Sequence, residues 1–209
     1  TVGYLAIDAG AGYWSGRLFD AGYTGNVVNN AWRDFSFDAS FTAVPNLLAT
    51  TGRSDGDSAH VRISSTNPSL ASWNAELKIE EDTTYDAELI HGNEDVGYLA
   101  LAGEGLLGGI APTQKMGEVG RVSNLTDDPQ TVVLQRSYTN PVVFAQLISV
   151  REGQPAIARI TDVQSDRFTM YLQEPSNLGG AHDWERVSYA VFEAGLWELP
   201  GGGQLEVGS

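Results

Sequence analysis

The feature that most constrains this chain is that it writes the same strand pattern twice. His91-x-x-Glu94-x-Val96-x-Tyr98 recurs as His182-x-x-Glu185-x-Val187-x-Tyr189 with identical internal spacing. Upstream, Ala59-His60-Val61-Arg62-Ile63 has its counterpart in Ala156-Ile157-Ala158-Arg159-Ile160. Each follows a proline-led apolar run, Pro45-Asn46-Leu47-Leu48-Ala49 in one copy and Pro141-Val142-Val143-Phe144-Ala145 in the other. A repeat of this size means that one supersecondary unit is built twice and that the copies are then packed together.

The matched blocks read as strands and the unmatched stretches, such as Ser64 to Trp73, as loops, because insertions are tolerated on loops. The first copy is expected to have six strands: Phe19 to Thr24, Trp32 to Phe37, Leu47 to Thr51, Ala59 to Ser64, Trp73 to Glu81 and Val96 to Ala102. In the second these become Met116 to Val122, Thr131 to Arg136, Val142 to Val150, Ala156 to Val163, Arg167 to Glu174 and Val187 to Ala194. Phe168, Met170 and Leu172 alternate with Thr169, Tyr171 and Gln173, so one face is buried and the other solvated. Gly, Pro, Asn and Asp punctuate the gaps, as at Gly52 to Gly56, Asp127-Asp128-Pro129 and Gly179-Gly180, and no window has a period of 3.6. The expected fold is all-β, two tandem six-stranded antiparallel β-sandwich modules over residues 17–108 and 114–200. Their linker is placed near Gly108 to Thr113.

Both ends echo the interior. Val2-Gly3-Tyr4-Leu5-Ala6 repeats Val96-Gly97-Tyr98-Leu99-Ala100, and Leu205-Glu206-Val207-Gly208 repeats Gly117-Glu118-Val119-Gly120. Residues 1–16 therefore read as the last strand of a preceding repeat or as a strand donated to a neighbouring subunit. Residues 201–209 read as the start of a following repeat or a tail. Thr1 and the residues after it carry no basic-then-apolar signal pattern, so the sequence is expected to be mature or excised.

Composition excludes some partners. The formal charge of −15 repels nucleic-acid backbones and anionic headgroups, and no apolar run is long enough to cross a bilayer as a helix. With no cysteine there is no disulfide framework, thiolate metal site or cysteine nucleophile. Only Lys78 and Lys115 are lysines, and such an acidic, lysine-poor surface suits a salty medium, as of a marine or halophilic source; the protein is expected to be extracellular or at the cell surface.

The aromatic run before each proline-led strand, Phe41-Thr42-Ala43-Val44-Pro45 and Tyr138-Thr139-Asn140-Pro141, and the closing strands Val187-Ser188-Tyr189-Ala190-Val191 and Val96-Gly97-Tyr98-Leu99-Ala100 make the chain resemble H-type lectins. The resemblance covers nearly the whole chain twice and is of a tandem-repeat, surface or secreted type. It implies a six-stranded sandwich, often trimeric, that binds N-acetylgalactosamine or related sugars at subunit edges. Tyr98 and Tyr189 stand where that family usually has tryptophan.

Each copy also carries an Arg, Glu, His, Glu set: Arg62, Glu81, His91 and Glu94, then Arg159, Glu174, His182 and Glu185. Arginine and carboxylates bind vicinal hydroxyls, and Trp184, between Asp183 and Glu185, has a ring that could stack on a sugar face. The same recurrence also follows if the set is structural, each arginine paired with a carboxylate of its own copy, Arg62 with Glu81 or Glu94 and Arg159 with Glu174 or Glu185. One histidine per set falls short of the ligands that zinc requires. Asp55, Asp57, Asp127 and Asp128 are carboxylates of the kind calcium takes, without the EF-hand spacing, so no cofactor is expected. No nucleophile-elbow pattern occurs, and no enzyme activity is expected.

Two functions are weighed, carbohydrate binding by a lectin-like tandem module being the expected one and the second its alternative. One is glycan binding, with two sites on one chain reinforcing each other. The other is a structural repeat of a surface fibre, adhesin or extracellular filament, assembled by strand addition or self-association.

Overall fold

In a computed structural model of the chain, residues 3–52, 58–68, 73–84, 87–110, 114–179 and 181–209 are described. Every regular element among them is a strand, and every pairing is antiparallel. In chain order these are β1 (Tyr4–Ile7), β2 (Gly10–Trp14), β3 (Arg17–Val28), β4 (Arg33–Phe35), β5 (Asn46–Thr51), β6 (Ala59–Pro68), β7 (Trp73–Glu81) and β8 (Glu94–Leu101). They continue as β9 (Gly105–Gly108), β10 (Lys115–Leu125), β11 (Gln130–Val133), β12 (Pro141–Leu147), β13 (Ile157–Thr161), β14 (Arg167–Gln173), β15 (Glu185–Glu193), β16 (Gly195–Glu198) and β17 (Gln204–Gly208).

The first copy forms a four-stranded sheet in the order β2-β3-β8-β5 and a three-stranded sheet in the order β4-β7-β6. The second repeats both as β9-β10-β15-β12 and β11-β14-β13. Alternation builds the cores as expected. Ala75, Leu77 and Ile79 of β7 point inward between Glu76 and Lys78, and Phe168, Met170 and Leu172 of β14 do the same in the second copy.

An edge strand, β2 or β9, joins each four-stranded sheet beyond the six strands read from the sequence. Because β9 pairs with β10, the chain passes from the first copy to the second at Ala102 to Glu104 and not at Gly108 to Thr113. Gly108 and Gly109 instead enter the β9-β10 hairpin, where the Gly109 N–H donates to the Gln114 carbonyl at 3.3 Å. Residues 111–113 of the expected linker lie outside the described residues.

A fifth sheet, in the order β1-β17-β16, is built from the two ends of this chain and is the third of the kind formed by the two four-stranded sheets, hereafter the third sheet. Its register repeats that of the other two. Tyr4 opposes Gly208 as Tyr98 opposes Gly22 and Tyr189 opposes Gly120. In each case the tyrosine ring lies across the glycine, and a Cβ at Gly22 would sit 3.0 Å from the Tyr98 hydroxyl, with less room still at the other two. Gly10, Gly105 and Gly195 correspond in the edge strands and share φ values of 155°, 127° and 149°, open to glycine but rarely to other residues. A carboxylate two residues before each tyrosine-paired glycine accepts a tyrosine hydroxyl: Asp20 from Tyr98 at 3.0 Å, Glu118 from Tyr138 at 3.1 Å and Glu206 from Tyr4 at 2.8 Å.

The three sheets share one core. Trp14, Phe19 and Leu101 from the first sheet, Met116 and Phe192 from the second, and Leu205 and Val207 from the third meet there. Trp14 stacks on Phe192 with centroids 5.8 Å apart and donates its indole N–H to the Gly108 carbonyl at 2.9 Å.

Candidate functional site

The structure gathers the sequence-selected histidines and glutamates into two polar clusters. In the second copy His182 Nδ1 lies 2.7 Å from Glu174 Oε1, and its Nε2 faces Glu185 Oε1 at 3.6 Å. Glu185 further accepts hydrogen bonds from the Ser149 hydroxyl and from the Arg151 N–H, the latter at 3.0 Å. In the first copy His91 bonds Glu81 through Nδ1 and Glu94 through Nε2, the second contact at 3.2 Å. Each imidazole thus bridges two carboxylates, one ending the hairpin strand and one opening the last strand. The fixed spacing of His-x-x-Glu places the loop histidine over that opening residue.

The arginines differ. Arg62 and Arg159 hold the same place in β6 and β13, but Arg62 is buried and Arg159 is exposed. Arg62 makes its close ion pair with Glu185 of the other copy at 2.6 Å and a longer one with Glu80 of its own copy at 4.0 Å, not with Glu81 or Glu94, and donates to the Ala156 carbonyl at 3.3 Å. Arg159 donates to Gln173, and among the described residues it forms no ion pair with Glu174 or Glu185. Among the described residues the expected pairs with Glu81 or Glu94 and with Glu174 or Glu185 do not form, and Arg62 turns to Glu185 because the second copy covers the first copy's arginine face. A repeat pattern cannot show which face its neighbour will cover.

Charge is balanced accordingly. Burial works to raise Glu185, yet hydrogen bonds from His182, Arg151 and Ser149 with the Arg62 charge outweigh it and lower its pKa. Burial likewise opposes a charged His182, and hydrogen bonds to Glu185 and Glu174 overcome it and raise its pKa. Glu152, Glu174 and His182 place one ligand atom each within 4.8 Å of one another. Those atoms are already engaged with each other, and the His182 side chain is 1% exposed. Such a closed set holds a seam together and offers a dissolved sugar little to touch.

Trp184 is half-buried, with the Arg151 guanidinium 3.9 Å from its ring centroid, so a cation–π contact occupies one face. Asn93, its counterpart, accepts from the Asn29 amide at 3.0 Å. The two sets named from sequence omit Glu80, which meets His60 at 3.2 Å and Lys78 at 2.8 Å, and also Ser149, Arg151 and Glu152. Nothing in spacing marks these four, since none recurs with the motif. Asp55 and Asp57 lie outside the described residues.

An open feature lies elsewhere. In the first two sheets the last strand is flanked on both sides, β8 by β3 and β5, and β15 by β10 and β12. The corresponding strand β1 pairs only with β17, and among the described residues its other edge has no ladder partner. Along that edge runs a groove of about 690 Å³ walled by residues of β1, β3, β5, β8 and β12, among them Leu5, Ile7, Tyr23, Leu48 and Phe144. Tyr4 is 49% exposed where Tyr189 is 8% exposed. Leu5 and Ile7 are only half-buried, while their counterparts Leu99, Leu101, Ala190 and Phe192 are fully packed. The sequence signal for this edge was the echo of the last strand at residues 2–6.

Among the described residues no helix is long and apolar enough to cross a membrane, which says nothing of strands. Compared with protein-family models, with curated proteins and with solved structures, the chain matches none.

Proposed function

We propose that this chain is a non-catalytic assembly unit of a surface or extracellular structure, in which a partner's strand completes the third sheet. In this reading each pair of facing sheets is one sandwich module, and the third sheet is a module of which these residues hold only part. The observation that carries it is the unpaired edge of β1, set in an apolar groove where the other two sheets each have a further strand. An edge of this kind is a template for strand addition.

The glycan reading has less support. The Arg, Glu and His residues that would contact a sugar are largely spent on one another, and Trp184 has one face under Arg151.

The test is selection of a displayed library of random decapeptides against the intact chain, beside a glycan array. The assembly reading expects enriched extended peptides that slow hydrogen exchange at the Leu5 and Ile7 amides, and no sugar signal. Sugar binding without peptide enrichment would sink it.

A further inference from the structure

We infer that the strand completing the third sheet belongs to a partner polypeptide, runs antiparallel to β1 and carries the side-chain pattern of β5 and β12. That pattern is a large apolar residue opposite Leu5 and a small residue opposite Tyr4; opposite Ile7 it follows β12, which has Val142 where β5 has Asn46. The inference rests on the assembly reading above and adds direction, register and chemistry.

Hydrogen-bond parity fixes which groups await a partner. The Asp8 N–H donates to the Gln204 carbonyl at 3.0 Å, continuing the β1-β17 ladder. In an antiparallel pair alternate residues turn their main-chain groups to opposite edges. Tyr4, Ala6 and Asp8 therefore face β17, and Leu5 and Ile7 present their N–H and C=O groups to the open edge. The complete sheets use the same positions. The Gly52 N–H bond to Asp95, at 2.7 Å, continues the β5-β8 ladder in the parity that joins Leu48 to Leu99 and Asn46 to Leu101. The Ala194 N–H bond to Asn140, at 2.9 Å, does likewise for Phe144 with Ala190 and Val142 with Phe192.

Side chains follow from the same register. Opposite the tyrosine stands alanine in both copies, Ala49 facing Tyr98 and Ala145 facing Tyr189. Opposite the next inward residue stands Leu48 against Leu99, or Phe144 against Ala190, and both Leu48 and Phe144 pack on the core shared by the three sheets. Val142 reaches that core as well. Leu47 and Val143 lie on the other face, toward the three-stranded sheets. Among the described residues the third sheet has no such covering sheet, so an incoming residue there meets solvent.

The walls agree with this placement. Besides β6 of its own copy, which has no counterpart beside the third sheet among the described residues, β5 lies against β8 of its own sheet and against β10, β12 and β15. Carried to the third sheet, these become β1, β3, β5 and β8, and all four line the groove. The vacancy has the neighbours of one strand and is bounded on the core side by apolar residues.

The experiment uses the intact chain and a synthetic peptide of residues 139–149, the β12 segment with its flanks, read by fluorescence anisotropy and hydrogen exchange. The peptide is expected to bind and to slow exchange at Leu5 and Ile7. Phe144→Asp in the peptide should weaken binding by at least about ten-fold, because it buries a charge without a partner. Val143→Asp should change it by less than about three-fold, as for a surface position. Equal effects of the two substitutions, or a larger effect at Val143, would overturn the register. If library decapeptides of another pattern protect Leu5 and Ile7 while this peptide does not bind, the inference falls and the assembly reading stands. If neither binds, both fall. A concentration-dependent dimer of the chain that protects Leu5 and Ile7 would make the occupant a second copy and overturn the inference.

Discussion

Arg62 of the first copy forms its ion pair with Glu185 of the second at 2.6 Å, the two side chains being 1% and 0% exposed. Removing the cation leaves a buried carboxylate with only neutral hydrogen-bond donors and His182. Arg62→Ala should therefore cost about 3–5 kcal/mol. Arg159→Ala, at the matching position, should stay within about 0.5 kcal/mol because that side chain is solvated. Urea unfolding of both variants measures the difference.

His182 makes the same cluster sensitive to pH. Its pKa is raised in the folded chain, so the stabilisation is complete below the unfolded value of about 6.5 and is lost as pH rises through the higher folded value. Glu185 has a lowered pKa, so its contribution is present above the unfolded carboxylate range and is lost as pH falls through the folded value. The melting temperature should fall from pH 6 toward pH 8, and His182→Gln should flatten that limb. A slope unchanged in the variant would assign it to other groups.

The tyrosine that crosses each glycine predicts a steric penalty that differs between copies. Both rings are held by phenylalanines, Tyr189 by Phe168 at 5.4 Å and Tyr98 by Phe35 at 4.7 Å, but Tyr189 lies nearer its glycine than Tyr98 does. Gly120→Ala should cost about 1–3 kcal/mol by overpacking, and more than Gly22→Ala. Adding Tyr189→Ala to Gly120→Ala should recover part of that loss in a double-mutant cycle.

Trp14 is fully buried and joins the first sheet to the second. Trp14→Ala should cost about 3–5 kcal/mol through the cavity it leaves. Trp14→Phe keeps most of the packing but leaves the Gly108 carbonyl only the longer contact from the Ser15 hydroxyl, at 3.4 Å, and should cost about 0.5–1.5 kcal/mol. Calorimetry of the two variants separates packing from the hydrogen bond.

The β-strand content and much of the strand placement were legible because the signals are local. Alternation at Phe168, Met170 and Leu172 follows from the two-residue period of a strand, and the recurrence of His-x-x-Glu follows from two copies of similar sequence folding alike. Even the echo of Val96–Ala100 at residues 2–6 was visible. What the echo meant was not, because pairing is a long-range choice. Tyr4 and Gly208 lie at opposite ends of the sequence, and only the shared core makes them neighbours. The partner of Arg62 was hidden for the same reason. Identical motifs predict identical local geometry, but the burial of a face is decided by what packs on it. The open edge of β1 exists only as a difference between three sheets, so it came into view only when all three could be aligned by their hydrogen bonds.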